Sequence, residues 1–544
     1  MGHTGPVEQP SPGESGLFAR LERPSLAMAA LIVAGGFLGS RLLGVLRSVA
    51  IAESFGTSPE LSAYFVAFRL PDLIFQLLAG ATLGSAFIPT FARLFTQTSE
   101  EAAWKLASSV LNLVLMATVV FALLGLVLAP YLVPAMAPGL GEDSGQQAEL
   151  RSMAVDLTRI MMVSPILFAV SGMFMGILNA RHHFLFPAIA PMVYNLSIIA
   201  GAFFFDDVHA LAVAVVIGAG LHLVVQLPAL VSVGMRYRLV AALRDPGVIE
   251  VARLMAPRVL GLAAFQLNLL VTVFFASTVS DEAISAVNYA WLIMMTPLGV
   301  FGMAISTAVF PTMAEQAAEQ VASLRRTLEQ SLRLIIFLTA PAAVALMLLA
   351  EPAVAFLFQR GAFDAASTAV TSDAVLFYAI GLFALAAIEI LSRAFYALSD
   401  TRTPVFFAVV ALVTNLALSA LFVFPLDLGV RGLALAVSLA TTLEGVLLFI
   451  ALDVRLDGLD LTALWQSVWR TVVSALLMAE AITVCLILLH WAGHLDTSRF
   501  LDAFLALALG GVAGSLVYVG AARVLRSPEV ETILRRLPWS RAPA

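Results

Sequence analysis

The sequence predicts an all-α polytopic membrane protein of about 14 transmembrane helices, built as two pseudo-symmetric six-helix lobes followed by two C-terminal helices. Three observations lead there. Of 544 residues, 60% are hydrophobic and only 12% charged, with a mean hydropathy of +0.96, where soluble domains carry about a quarter charged residues. Apolar segments long enough to cross a bilayer follow one another with short connectors. Two short motifs also recur at a common offset.

Residues 1–24 (MGHTGPVEQPSPGESGLFARLERP) are rich in Gly, Pro, Ser and Glu and have nothing to bury, so they read as a disordered tail. The apolar run that follows is too long for a signal h-region and lacks a cleavage site, so it is expected to remain as a membrane helix. Spans are expected near 28–52, 62–92, 106–134, 153–178, 186–205, 209–235 and 254–279, then near 285–313, 332–350, 372–397, 404–424, 430–452, 468–491 and 500–524. Prolines 71, 89, 165, 187, 191, 297, 311, 341 and 404 are expected to kink or break many of them.

Connector charge tests the count independently. Arg20 and Arg23, Arg93 and Lys105, Arg181, Arg236 to Arg253, Arg325 and Arg326, Arg402, Arg455 and Arg470, and Arg523 to Arg536 fall in alternate connectors. The connectors between are acidic or neutral, including Glu53 and Glu60, residues 140–149, Asp206 and Asp207, and Asp281 and Glu282. Arginine-rich connectors face the cytoplasm, which places both termini there. Arg360 and Arg431 are exceptions, each with an acid nearby in sequence.

The chain also repeats itself. AFIPTFA at 86–92 is echoed by AVFPTMA at 308–314, and Pro187 with Asn195 and Leu196 by Pro404 with Asn415 and Leu416. An even number of spans separates the members of each pair, so the duplication is parallel and places a binding site between lobes. The expected organisation is a cytoplasmic tail at 1–24, an N-terminal lobe at 25–240, a C-terminal lobe at 241–455, a two-helix appendage at 456–526 and a cytoplasmic tail at 527–544.

Charge inside the spans marks the candidate site. The first span offers on the order of 4 kcal/mol of apolar insertion energy before Arg47, and a central arginine removes about 3 kcal/mol of it. Arg41 is therefore expected to face a bundle interior, where a guanidinium can meet carboxylate or phosphate, although snorkelling to an interface remains open, more so for Arg47. Arg69, Asp72 and Gln76 follow in the second span, with Asp72 placed to pair with Arg69. Elsewhere Glu389 and Arg393 are spaced as a local ion pair, Gln266 and Asn268 sit mid-span, and Glu444 is a minor candidate for protonation coupling.

No GxxxxGK[ST], HExxH, Cys/His cluster or GxSxG elbow is present, so neither an enzyme nor a bound cofactor or metal is expected. His182 and His183 read as solvated loop residues, and the one cysteine, Cys485, lies in an apolar run.

SRLLGVLR at 40–47, FG at 55–56, AYFVAFRLPD at 63–72 and AFIP at 86–89 resemble the opening signature of the MurJ (MviN) family, lipid II flippases within the multidrug/oligosaccharidyl-lipid/polysaccharide exporter superfamily. GILN at 176–179, PAIAP at 187–191, QLP at 226–228, LFQRG at 357–361 and GLALA at 432–436 continue the likeness over nearly the whole chain. The resemblance implies two lobes around a cationic cavity, a groove for a polyprenyl tail on the two extra helices, and alternating access that moves an undecaprenyl-diphosphate-linked peptidoglycan precursor, lipid II, from the inner to the outer leaflet of the bacterial cytoplasmic membrane. Membrane lipids are the other expected partners; no nucleic-acid partner is expected, and the chain is expected to act as a monomer. The family's pyrophosphate-binding arginines fall on Arg41 and Arg47, and the substrate-binding set expected here is Arg41, Arg47, Arg69, Asp72 and Gln76. Four positions depart from the family pattern: Ser62 replaces an acid, Phe75 and Leu292 replace cavity arginines, and Thr272 replaces a carboxylate that can bind sodium. Export of another polyprenyl-diphosphate glycan or of an amphipathic drug, and a non-transporting scaffold of the same fold, remain alternatives.

Overall fold

The computed structural model describes residues 26–78, 80–141 and 144–531; the expected tail at 1–24 and most of the tail at 527–544 lie outside the described residues. The first spans comprise α1 (Leu26–Phe55), α2 (Pro59–Leu78), α3 (Ala81–Gln97), α4 (Glu100–Met136), α5 (Ser144–Met161), α6 (Val163–Ala180), α7 (Leu185–Phe204), α8 (Val208–Val224) and α9 (Leu227–Ser232). The chain continues through α10 (Pro246–Val279), α11 (Ala283–Pro297), a π-helical stretch at Leu298–Met303, α12 (Ala304–Glu319), α13 (Val321–Leu348), α14 (Ala350–Phe358), α15 (Ala365–Ile380) and α16 (Leu382–Ala397). It closes with α17 (Arg402–Val423), α18 (Gly429–Arg455), α19 (Leu461–Trp491) and α20 (Phe500–Val524). Among the described residues 13 helical segments are long and apolar enough to cross a membrane, or 14 if α15 and α16, bent by 46° at their junction, count as one broken span. The chain is a multi-pass membrane protein.

Short polar caps set several helix starts. Asp207 and Asp364 precede α8 and α15 and accept the backbone N–H of His209 at 2.9 Å and of Ser367 at 2.8 Å. Those N–H bonds hold both carboxyls below the usual carboxylate range. Ser99, Asp245 and Asp460 do the same for α4, α10 and α19.

The prolines act differently from the expectation. Pro71, Pro89, Pro191, Pro311 and Pro341 sit inside continuous helices, whereas Pro165, Pro187 and Pro404 occupy first turns, where an N–H has no intrahelical partner to lose. The second span is instead divided between α2, which ends at Leu78, and α3, which starts at Ala81. The eighth is interrupted by the π-helical stretch after Pro297. The two spans that carry the echoed motif are thus both broken just before it.

Packing joins the halves unevenly. At the end that carries Glu53 and Asp281, one apolar core crosses both: Ile51, Phe55, Leu61 and Tyr64 pack with Tyr289, Phe358 and Phe363. At the opposite end a separate core groups Phe87, Phe91, Trp104 and Phe174 with Val248 and Val251 of α10. The first turns of α10 therefore pack with helices that precede it, while its last turns, through Val273 and Phe275, join the shared core. Helices α19 and α20 pack on each other and lean on α13 and α14. Tyr518 fixes that contact by donating its hydroxyl to the Phe337 carbonyl at 2.6 Å.

Candidate functional site: a polar cavity between the halves

Helix α2 carries the charge. About 15 Å along it from Pro59, at 1.5 Å per residue, the half-buried Arg69 donates through Nη2 to Oδ1 of Asn288 on α11 at 2.7 Å. Asn288 is held for this task, because its Nδ2 donates to the Ile284 carbonyl one turn back at 2.7 Å and so turns the amide oxygen toward Arg69. The expected pairing of Arg69 with Asp72 is not formed: Asn288 takes the guanidinium, and Asp72 accepts instead from Gln76 at 3.4 Å. Arg69 Nε is buried and has no hydrogen-bond partner among the described residues.

Arg69, Asp72 and Gln76 line one wall of a cavity of about 240 Å³. Gln266, Asn268 and Thr272 of α10, Asn288 and Trp291 of α11, and Tyr378 of α15 line the other. An arginine beside amides, a carboxylate and aromatic rings suits a ligand with an anionic part and a neutral polar part.

The first span contributes differently. Arg47 lies about 12 Å before the end of α1, a depth similar to that of Arg69, and its side chain is half-buried. Arg41 is exposed and stacks over its own helix neighbour Phe37, with its guanidinium carbon 5.2 Å from the ring centroid. The structure thus brings Arg69, Asp72 and Gln76 together on one cavity wall, and neither Arg47 nor Arg41 is among the described residues that line it. Helix α1 explains the last placement: it packs chiefly on α7, where Gly36 and Gly39 meet Ala188 and Met192, and Arg41 lies off that contact face.

The four departures have structural places. Phe75 packs at a tilt against Phe168 with ring centroids 5.0 Å apart, and Phe168 meets Tyr194 and His222. Leu292 packs against the shared apolar core. Thr272 turns its hydroxyl to the Asn268 carbonyl at 3.2 Å, while Asn268 Oδ1 accepts from Asn415 at 2.5 Å.

Ser62 works at the closed end. Its hydroxyl donates to the Asp281 carbonyl and lies 3.0 Å from the Ser285 hydroxyl. Nearby, Thr57 meets Ser367 at 2.8 Å, the Ala362 N–H donates to the Glu53 carbonyl at 2.8 Å, and Tyr289 donates to the Gly56 carbonyl at 3.3 Å. Asp281 Oδ1 accepts the Gly141 N–H at 2.7 Å, and burial pushes the carboxyl above the usual range. Two glycines permit this closeness. Gly56 and Gly361 have φ of +59° and +56°, and a Cβ on either would collide with the Ala362 or Glu53 carbonyl across the seam.

Other polar residues are accounted for locally. Glu389 and Arg393 form an ion pair at 3.6 Å, and Arg393 also donates to Thr307 at 2.7 Å. Arg431 pairs with Asp373 at 2.8 Å. Arg360, expected beside an acid, instead donates to the Phe356 and Leu357 carbonyls and lies over Phe500, which caps the exposed end of α14. Among the described residues no three His, Cys, Asp or Glu side chains gather as a metal site would require.

Sequence reasoning missed Asn288, Trp291 and Tyr378. Their signal is weak, since an aromatic residue in an apolar run looks like core, and only Asn288 is out of place in a span.

Residues 51–500 match the family model described as "Lipid II flippase MurJ". The chain is 33% identical over 510 residues to the Burkholderia cenocepacia protein named lipid II flippase MurJ, an alignment that covers 91% of this chain and 98% of that one. The chain belongs to the MurJ family. Another MurJ relative, the probable lipid II flippase of Thermotoga maritima, is 29% identical over 502 residues, covering 92% and 97% of the two chains. Among solved structures, a lipid II flippase MurJ in an inward closed conformation superposes with a TM-score of 0.73 at 23% identity, covering 93% of this chain and all of that one. An inward-facing multidrug MATE transporter of the MOP superfamily superposes at 0.65 with 18% identity, covering 77% and 94%. These two likenesses concern the fold that MurJ proteins share with that superfamily.

Proposed function

We propose that this chain is a lipid flippase of the cytoplasmic membrane that moves lipid II, the undecaprenyl-diphosphate-linked peptidoglycan precursor, from the inner to the outer leaflet by alternating access. The observation that carries the reading is Arg69, held at depth by the neutral amide of Asn288 on the wall of a polar cavity. A guanidinium with spare donors in a water-poor site suits a diphosphate, which only accepts. Arg47 extends the positive surface along α1, and Arg41 belongs to the route by which the headgroup approaches.

Sidedness follows from connector charge. If the arginine-rich connectors and both termini are cytoplasmic, the shared core and the serine seam close the outer end, and the molecule is in an inward-facing state. The cycle then requires the seam around Ser62 and Asp281 to part while the opposite end closes. The chain's own groups bind and move the cargo without making or breaking covalent bonds, so the activity is transport, carried out by one chain. Outward movement of an anionic headgroup is favoured by the membrane potential by about 2.3 kcal/mol per charge per 100 mV.

Phe75 and Leu292 leave the cavity with less positive charge than the family pattern implies. This favours, as a second reading, a different polyprenyl-diphosphate glycan as cargo. Cells depleted of their own flippase test the first reading: the chain restores growth and the Arg69→Ala variant, at equal abundance, does not. Failure of the unaltered chain to restore growth, with its normal insertion confirmed, would count against lipid II as the cargo.

A further inference from the structure

A second cavity, of about 390 Å³, shares no lining residue with the first. Three elements meet around it: Ile305 and Val309 come from α12, Arg333 and Leu334 from α13, and Glu529 from the segment that follows α20. It lies at the end of the molecule that connector charge assigns to the cytoplasm. On α19, Trp465 and Trp469 are 69% and 38% exposed and flank Ser467, which donates to Glu529 at 2.8 Å. Exposed tryptophans of a membrane protein gather at the level of the lipid headgroups, so the cavity lies at that level.

Two opposite charges stand in this cavity without meeting. Glu529, 6% exposed, accepts from Ser467 and, at 2.6 Å, from Ser527. Arg333 Nε lies 3.9 Å from Glu529 Oε1, beyond hydrogen-bond reach, and is buried with no hydrogen-bond partner among the described residues. A buried donor left unpaired costs about 1–3 kcal/mol, so an acceptor that enters the gap is favoured. A phosphodiester, which only accepts, suits that guanidinium edge. A purely anionic headgroup would also face the Glu529 carboxylate and be repelled. A headgroup that carries a primary ammonium as well brings three donors to a carboxylate with lone pairs to spare. The apolar flank of Ile305, Val309 and Leu334 suits the glycerol esters and first methylenes behind such a headgroup.

We infer that this cavity binds a bilayer phospholipid by its phosphoethanolamine headgroup, the phosphate on Arg333 and the ammonium on Glu529. The lipid then bridges α12, in the C-terminal half, to the segment that closes the appendage, and does so independently of the cargo.

Native mass spectrometry on the full-length chain in detergent tests this, with titrations of dioctanoyl phosphatidylethanolamine, dioctanoyl phosphatidylglycerol and free phosphoethanolamine. The proteins are the unaltered chain, Arg333→Gln, Glu529→Gln and Val309→Trp, the last filling the cavity while leaving both charges in place. The unaltered protein is expected to bind the ethanolamine lipid about tenfold more tightly than the glycerol lipid, the worth of one charge-assisted hydrogen bond, and free phosphoethanolamine more weakly than the lipid. Arg333→Gln and Val309→Trp are expected to weaken both lipids about tenfold, and Glu529→Gln to remove the preference between them. Equal affinity of the unaltered protein for the two lipids, or lipid binding unchanged in both Arg333→Gln and Val309→Trp, would overturn the site. Free phosphoethanolamine that binds as tightly as the lipid would overturn the bilayer as the source of the headgroup. Should Glu529→Gln not fold, the other two variants decide the matter without it.

Discussion

Arg69 of α2 and Asn288 of α11 are joined by a 2.7 Å hydrogen bond across the two halves of the molecule. This charge is held by a neutral amide rather than by a carboxylate. An amide orients a guanidinium without neutralising it, so the positive charge remains available to a third group.

The first prediction concerns that charge. Arg69→Ala is expected to lower transport at least about tenfold, a change of about 1.4 kcal/mol or more in the step it serves, while abundance and membrane insertion stay normal. Arg69→Lys restores little, because a lysine ammonium lacks the planar fork that reaches Asn288 and a phosphate together. Transport assays on equal amounts of each variant check this.

The seam gives a second test. With Cys485 replaced by serine, Ser62→Cys and Ser285→Cys place two sulfurs where hydroxyl oxygens now lie 3.0 Å apart. Oxidation is expected to link them and stop transport, and a reductant to restore it. Gly361→Val acts in the opposite sense: its side chain collides with the Glu53 carbonyl and parts the seam, so a cysteine at Thr57 becomes more reactive toward an impermeant maleimide.

A pH dependence follows from Asp281, which lies in the connector between α10 and α11. Burial raises its carboxyl above the usual value, against the bond from Gly141, and the nearby Glu60 and Glu282 push the same way. An acid whose pKa is raised in the closed seam binds its proton more tightly there than when the seam is open. Acid therefore stabilises closure, and that stabilisation is lost as pH rises from about 4, the ordinary carboxylate value, through the raised one. Maleimide labelling of the Thr57→Cys protein should accelerate over that rise, and Asp281→Asn should flatten the profile.

The appendage offers a stability test. Glu529, buried beyond α20, accepts from Ser467 at 2.8 Å and Ser527 at 2.6 Å and lies 3.9 Å from Arg333 Nε. Glu529→Ala strands those donors and should cost about 1–3 kcal/mol, read as a lower unfolding temperature in detergent.

Much of this was legible in the sequence, and what was not has physical causes. Hydropathy and connector charge reveal the spans because a bilayer demands about 20 apolar residues and leaves arginine on one side. Arg69, Asp72 and Gln76 stood out because polar groups in hydrocarbon are costly. For Arg41 the same argument says that a charge needs relief but not whether a cavity or the exposed face of a helix supplies it, and its side chain is exposed beside Phe37. The division between α2 and α3 was hidden behind Pro71 and Pro89, which helices tolerate. Trp291 and Tyr378 look like core until the opposite half is in place, because their polar edges matter only across the gap.

The most direct measurement is translocation of labelled lipid II in proteoliposomes carrying the purified chain, with an imposed potential. The account predicts outward movement that depends on Arg69, is blocked by the oxidised Ser62→Cys/Ser285→Cys pair, and slows when the potential is dissipated. Translocation by the Arg69→Ala protein equal to that of the unaltered chain would contradict it.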